Sequence, residues 1–422
     1  MKSGKPKSMS NNHTAFYKNA LWQYGLQAVK YLLPLITLPY LTRVLEPEGY
    51  AVYAYVVSFM TFAQTFVDFG FNLSGTKEVA AACDDEELGA VVGSITQARI
   101  LLCAVAGAGC AVIGFFIPIM RENALYASLA YLAVCGRALA PDFLFQGKER
   151  MAPITLRYLV SKGASTALTF VFVHSAADLL WVPVLDILAS AIALVWSFAA
   201  ARKLFGLRIS WAGGRRVARE LATSGYYCLS NMASTAFSGL TTLIIGVSIP
   251  DPAQISYWSL AMTAVGAVQA LYAPITNSLY PHMVVGGDFG FAKRLLKLSV
   301  PFILGGTALF FVIADPIVLI LGGPEYLPGA YVLRIVSPVL VFSFYGMLIG
   351  WPVLGAMGRV KELTRTTVVS SLASVAALCA AAASGHASVA LFALIRSGTE
   401  FLMCALRAYE CWRAFNAGRE GL

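Results

Sequence analysis

Apolar stretches of roughly 20 residues recur along the whole chain, and that is the length a helix needs to cross about 30 Å of hydrocarbon. Windows of about 19 residues place twelve such helices, at 20–43, 50–71, 96–118, 124–146, 152–174, 179–201, 222–248, 254–281, 298–314, 328–354, 366–384 and 388–406. Composition removes the soluble alternative: with 58% hydrophobic and 13% charged residues, the chain has about half the ~25% charge of a soluble domain. The expected fold class is an all-α polytopic membrane protein, with 12 transmembrane helices in two six-helix lobes around a central cavity.

The division into lobes follows from the longest basic connection, Arg202 to Arg219, which contains Gly213-Gly214 and leaves six spans on each side. Six is even, so both halves enter the membrane with the same sense, as in a parallel repeat with a cavity between its halves. The expected organisation is residues 1–205 as the N-terminal lobe, 206–219 as a basic linker and 220–422 as the C-terminal lobe. Identities at a constant offset of 205 are few, namely Pro47 with Pro252, Gln64 with Gln269 and Asn72 with Asn277. Hydropathy therefore carries the repeat.

Charge sorts the topology. Of 31 Lys and Arg, 22 fall in the connections on the side of the N-terminus, Arg407 among them, and only Arg43 and Arg121 on the opposite side. Both termini are expected in the cytoplasm by the positive-inside rule. The first apolar run is too long, and lacks the small-residue cleavage site, for a secretory signal, so it counts as the first helix. The cations lie between and inside apolar segments rather than in a solvated stripe, which argues against nucleic acid. All eight cysteines fall in helices or on the cytoplasmic side, where free thiols are expected. The four histidines have no metal-ligand spacing, and no cofactor or phosphate-cradling motif or catalytic triad is present, so neither a cofactor nor an enzyme is expected.

The remaining seven cations, Lys30, Arg99, Arg137, Arg157, Lys162, Arg334 and Arg396, sit within the spans. Each costs about 2.5–3.5 kcal/mol at mid-membrane on an insertion scale. Four acids lie at membrane depth, Asp68, Asp142, Asp186 and Glu400, which leaves a surplus of three cations. A buried unpaired cation is normally avoided, so a surplus suggests a wet cavity that receives an anion. Lys30, Arg137 and Lys162 lie 12 or 13 residues from the outer ends of their spans, a shared depth of about 18–20 Å. Such a level of cations, all from the first half, suits phosphate.

Plainer readings stand beside this one. Arg99 and Arg157 near cytoplasmic ends and Arg334 near the outer end are placed to snorkel toward headgroups. Arg396 and Glu400 are spaced i,i+4 and can neutralise each other, and Asp186 can do the same for Lys162 across a short hairpin. Gly346, Gly350, Gly355 and Gly358 read as close helix packing. Pro34 and Pro39 read as a kink or an opening hinge, and the acidic run Asp84 to Glu87 as a solvated turn before the third helix.

Several stretches carry a family resemblance: LPYLTRVLEPEGYAVYAYVVSF at Leu38–Phe59, DFGFNLSGTKEVA at Asp68–Ala80, DFLFQGKERM at Asp142–Met151, LYAPITNSLYPHM at Leu271–Met283 and PEYLPGAYVLRI at Pro324–Ile335. Together they resemble bacterial polysaccharide-export flippases of the Wzx/RfbX type, which export O-antigen and exopolysaccharide. The chain departs from the family pattern at Glu46 and Ala51, where glycine is usual, and at Phe143, where tryptophan is frequent. The resemblance implies the multidrug/oligosaccharidyl-lipid/polysaccharide exporter superfamily and alternating access. It implies as substrate an undecaprenyl-diphosphate-linked glycan, carried from the cytoplasmic to the periplasmic leaflet of the bacterial inner membrane. Membrane lipids, a polysaccharide polymerase and glycosyltransferases are the partners it suggests.

With that substrate, Lys30, Arg137, Lys162 and Arg396 are the candidate diphosphate contacts, with Arg99, Arg157 and Arg334 guiding entry and exit. Gln64, Asn72, Gln269 and Asn277 are candidates for the sugars or for interhelical hydrogen bonds. Asp68, Asp186 and Glu400 are candidates for ion coupling. Two alternatives stay open: a multidrug/organic-cation antiporter of the same superfamily, which wants an acidic cavity, and a polytopic polysaccharide polymerase, which wants sizeable outer loops.

Overall fold

The computed structural model describes residues 9–272, 275–276, 279, 283, 289–385 and 387–417. Its regular elements are helical throughout. Among the described residues, eight helices are long and apolar enough to cross a membrane, or nine when the bent pair Gly214–Leu229 and Asn231–Ser248 is included. The described residues group into two units, one of 1–37 with 59–232 and the other of 38–58 with 233–422. The change of unit after Met232 falls inside a helix, whereas the hydropathy division lies in the basic linker.

α1 (Met9–Asp68), which starts and ends in the first unit, takes in the first expected span and the second up to Asp68. It is interrupted at Glu46, with φ 56° and ψ 173°. Pro47 disfavours helical backbone at the residue before it, and its ring has no N–H to continue the ladder. Residues 9–37 and 59–68 of this stretch belong to the first unit. α2 (Phe71–Ala81) follows a left-handed Gly70.

α3 (Asp85–Phe116) starts eleven residues before the expected span. The acidic run is a helix cap rather than a plain solvated turn: Glu87 N–H donates to Asp84 Oδ1 at 2.7 Å, and Cys83 N–H to Glu87 Oε2 at 3.0 Å. The first bond satisfies an orphan donor of the helix start, and the second ties the residue before the cap to the first turn. The expected span 124–146 is broken into α5 (Ala124–Ala138), after the short α4 (Pro118–Glu122), and α6 (Asp142–Gly147). Pro141 stands at the break.

α7 (Ala152–Phe172) and α8 (Trp181–Phe205) complete the bundle, and α5 and α7 both pack on α8. α7 reverses the pattern of a soluble helix. Ser161, Ser165 and Thr169 are buried, whereas Leu156, Val160 and Val171 are exposed. This is the arrangement hydrocarbon selects, because polar groups find partners only inside the protein. α7 also carries Arg157 and Lys162 besides this polar face.

The second unit takes the segment 38–58 of α1 and holds it by its backbone. Thr42 Oγ1 donates to Leu321 O at 2.6 Å, Tyr326 Oη to Thr42 O at 3.3 Å, and Ser256 Oγ to Pro47 O. Its helices include Ala253–Ala270, Phe289–Val312, Val360–Ala383 and Val389–Ala417. The span expected at 328–354 consists of helices Ala330–Val336 and Pro338–Leu348 and a π-helical segment, Ile349–Gly355, that contains Pro352.

Arg407, which the sequence places in a cytoplasmic connection, is held inside this bundle. It donates to Gly346 O at 2.7 Å and Thr367 Oγ1 at 3.1 Å. A Cβ on Gly350 would stand 3.1 Å from its guanidinium. Gly346 and Gly350 therefore serve close packing, with an arginine as the group they admit.

Candidate functional site

The first unit encloses a cavity of about 340 Å³ in which charged side chains from six helices converge. α1 supplies Lys30, Gln64 and Asp68, and α2 supplies Asn72. Arg99 comes from α3, Arg137 from α5 and Asp142 from α6. α7 adds Arg157, Tyr158, Ser161 and Lys162, and α8 adds Asp186 and Ser190. Five cations face three carboxylates, a formal surplus of two positive charges in one place.

The pairing is uneven. Arg157 is 8% exposed and grips Asp142 through both guanidinium nitrogens, at 2.6 and 3.1 Å, while also donating to Ser197 Oγ. Arg99 is 2% exposed; it donates to Ala140 O at 2.9 Å and Asn72 Oδ1 at 3.3 Å, and its Nη2 lies 3.8 Å from Asp68. The rings of Phe71 and Phe143 flank its guanidinium, with centroids at 5.9 and 5.3 Å. These two arginines do not snorkel. They are locked into the wall, and their Nε atoms are buried without a hydrogen-bond partner.

The other three cations are freer. Lys162 Nζ meets Asp186 Oδ1 at 2.6 Å, as the hairpin spacing suggests, and Asp186 Oδ2 lies 3.8 Å from Arg137. One carboxylate thus stands between two cations, and Ser165 Oγ donates to it at 3.3 Å. Arg137 is 45% exposed and its contact to Gln64 Oε1 is long, at 3.5 Å. Lys30 sits over the ring of Tyr158 at 5.7 Å, and among the described residues it makes no ion pair. Lys30 is thus without a carboxylate partner among the described residues, and Arg137 and Lys162 share a single one.

The remaining candidates lie in the second unit or outside the described residues. Arg396 and Glu400 pair with each other at 2.6 Å, both buried, and the Arg396 guanidinium sits 4.5 Å from the Phe237 ring centroid. Arg334 pairs with Asp315 at 2.6 Å. The sequence reading missed Asp315 because it stands one residue past an expected span. Asp315 thus offsets Arg334, Arg407 adds a cation held by Gly346 and Thr367 in the second unit, and the cavity of the first unit keeps its own surplus of two. Gln269 lies on the helix Ala253–Ala270, and Asn277 lies outside the described residues. Tyr158, Phe71 and Ser197 were not singled out; an aromatic or hydroxyl on an apolar helix has no distinguishing sequence signal.

The fold is similar over nearly the whole chain to that of solved transporters. An inward-facing multidrug resistance MATE family transporter of the MOP superfamily superposes with a TM-score of 0.73 at 12% identity, covering 95% of this chain and 99% of its own. The lipid II flippase MurJ in an inward closed conformation gives 0.70 at 12% identity, covering 93% and 87%.

Residues 16–285 match the family described as Polysaccharide biosynthesis protein, and the chain belongs to that family. A relative from Escherichia coli strain K12 named "Putative O-antigen transporter" is 27% identical over 381 residues, covering 87% of this chain and 90% of its own. One of the same name from Shigella dysenteriae is 22% identical, covering 84% and 90%. The chain is a multi-pass membrane protein of a polysaccharide biosynthesis family.

Proposed function

We propose that the chain is a flippase that moves an undecaprenyl-diphosphate-linked oligosaccharide, of the O-antigen or exopolysaccharide kind, from the cytoplasmic to the periplasmic leaflet of the bacterial inner membrane. The observation that carries this reading is the cavity of the first unit, where five cations meet three carboxylates. A diphosphate brings about two negative charges, the number left unmatched. Lys30 receives it, and Arg137 and Lys162 exchange their shared contact with Asp186 for phosphate oxygens. Charge-assisted hydrogen bonds of this kind are about twice as strong as neutral ones. Arg99 and Arg157 hold the wall in place.

The volume of about 340 Å³ suits a headgroup rather than a whole lipid-linked glycan. Sugar and isoprenoid extend beyond it, with Gln64 and Asn72 as near polar contacts. Asp186 is the best placed of the coupling candidates, because it stands between two cations, Lys162 and Arg137, that the substrate would draw away. Asp68 and Glu400 each make one ion pair with an arginine, Arg99 and Arg396.

The reading includes twelve crossings in two lobes, 1–205 and 220–422, with both termini cytoplasmic, and transport by alternating access. Length supports the count: the 60 residues of α1 would make a rod of about 90 Å, three times the hydrocarbon thickness. The break at Glu46 divides it into two crossings. The organic-cation antiporter, which shares the fold, is disfavoured by the sign of the cavity.

Charge reversal tests the reading. Lys30→Glu with Arg137→Glu is expected to abolish surface polysaccharide and leave the lipid-linked precursor on the cytoplasmic leaflet, with membrane insertion unchanged. Undiminished export by an inserted double variant contradicts it.

A further inference from the structure

α8 presents a second face, apart from the one that carries Asp186 into the cavity. Ile192, Val195, Trp196, Ala199 and Lys203 line an open groove of about 690 Å³. These positions follow helical spacing, so the groove runs along the helix axis. Val195 is 70% exposed and Trp196 38%. From Ile192 to Lys203 the helix rises about 16 Å at 1.5 Å per residue. That is about half of a ~30 Å hydrocarbon core, the depth of one leaflet.

The groove ends in positive charge, Arg202 and Lys203, that no ion pair among the described residues offsets. No Asp or Glu occurs between Asp186 and Glu220, a stretch that holds six Lys and Arg. Arg202 and Lys203 are exposed in the last turn of α8, and among the described residues neither is in an ion pair. Their position is fixed. Gly206, at φ 59°, turns the chain out of the helix, and Leu207 is buried. Ser210 N–H donates to Gly89 O at 3.2 Å, and Ala212 N–H to Gln97 Oε1 at 2.9 Å. Gly89 and Gly93 admit this strap, since a Cβ on either would meet a carbonyl of Arg208 or Ser210 within 2.1 Å.

We propose that this face of α8 is a binding site for one anionic diacyl phospholipid of the adjacent leaflet. An acyl chain lies along Ile192, Val195 and Trp196, and the phosphate is held by Lys203 with Arg202 beside it. The short groove selects an ordinary acyl chain, one leaflet deep, over a polyprenyl chain several times that length. The uncompensated cations select an anionic headgroup over a zwitterionic one, at about 1 kcal/mol per cation near the surface.

The test uses purified, delipidated full-length protein, incubated with phosphatidylglycerol or with phosphatidylcholine of the same chains, with bound lipid counted by native mass spectrometry. The wild type should hold one phosphatidylglycerol about tenfold or more tighter than phosphatidylcholine. Arg202→Gln with Lys203→Gln should erase that preference, Trp196→Ala should weaken both lipids, and the exposed Arg150→Gln should change neither. Equal retention of the two lipids by the wild type overturns the proposal without recourse to any variant. So does a preference that survives the 202/203 change or is lost equally with Arg150→Gln. A second copy of the chain occupying α8 in place of lipid also overturns it.

Discussion

Arg157 and Asp142 show how much of the cavity depends on single partnerships. The pair is bidentate, with Arg157 8% and Asp142 30% exposed. Removing the acid leaves a buried cation, which costs about 3–5 kcal/mol where burial is complete. With Asp142 partly open, about 2–3 kcal/mol is expected for Asp142→Asn. A thermal melt in detergent should show it as a lowered Tm, partly restored by adding Arg157→Gln; an unchanged Tm would mean that the pair bears no load. Lys162–Asp186 and Arg396–Glu400 were legible in the sequence, because hairpin proximity and i,i+4 spacing are local. Asp142–Arg157 and the ring-flanked Arg99 were not. Their partners depend on how α2, α3, α6 and α7 meet, and charge counting cannot see that.

Among the elements, the hydrophobic runs marked where helices lie but not where they begin or break. α3 gains its first eleven residues from a polar cap that hydropathy does not register. The expected span 124–146 breaks at Pro141, and the one at 328–354 passes through a π-helical segment. The interruption of α1 is the most telling, since Glu46 holds φ 56° and ψ 173°, close to a region that is essentially reserved for glycine and costs about 1–3 kcal/mol otherwise. Glu46→Gly should therefore stabilise by about 1 kcal/mol, after the entropy that glycine adds to the unfolded chain. Glu46→Val should destabilise, because a β-branched residue at positive φ is worse still. Chemical denaturation of the two variants reads both signs, and a stabilising valine would contradict the backbone assignment.

For the whole molecule, a net charge of +9 says little until it is divided by place. Most of it is a topological excess in the connections, and the chemically informative part is the two positive charges left over in one cavity. In an inside-negative cell, moving about two negative charges outward gains up to about 4.6 kcal/mol per 100 mV if they cross the full field. Transport into vesicles should accordingly slow when the potential is collapsed; indifference to loss of both the potential and the proton gradient would contradict field-assisted flipping. The central claim, that the cavity of the first unit receives a diphosphate, is tested most directly by binding to the purified protein of one polyprenyl chain ending in diphosphate, monophosphate or hydroxyl. Affinity should fall in that order for the wild type, and the differences should collapse in Lys30→Gln with Arg137→Gln. Equal affinity for the three headgroups, or an undiminished order in the double variant, would contradict it.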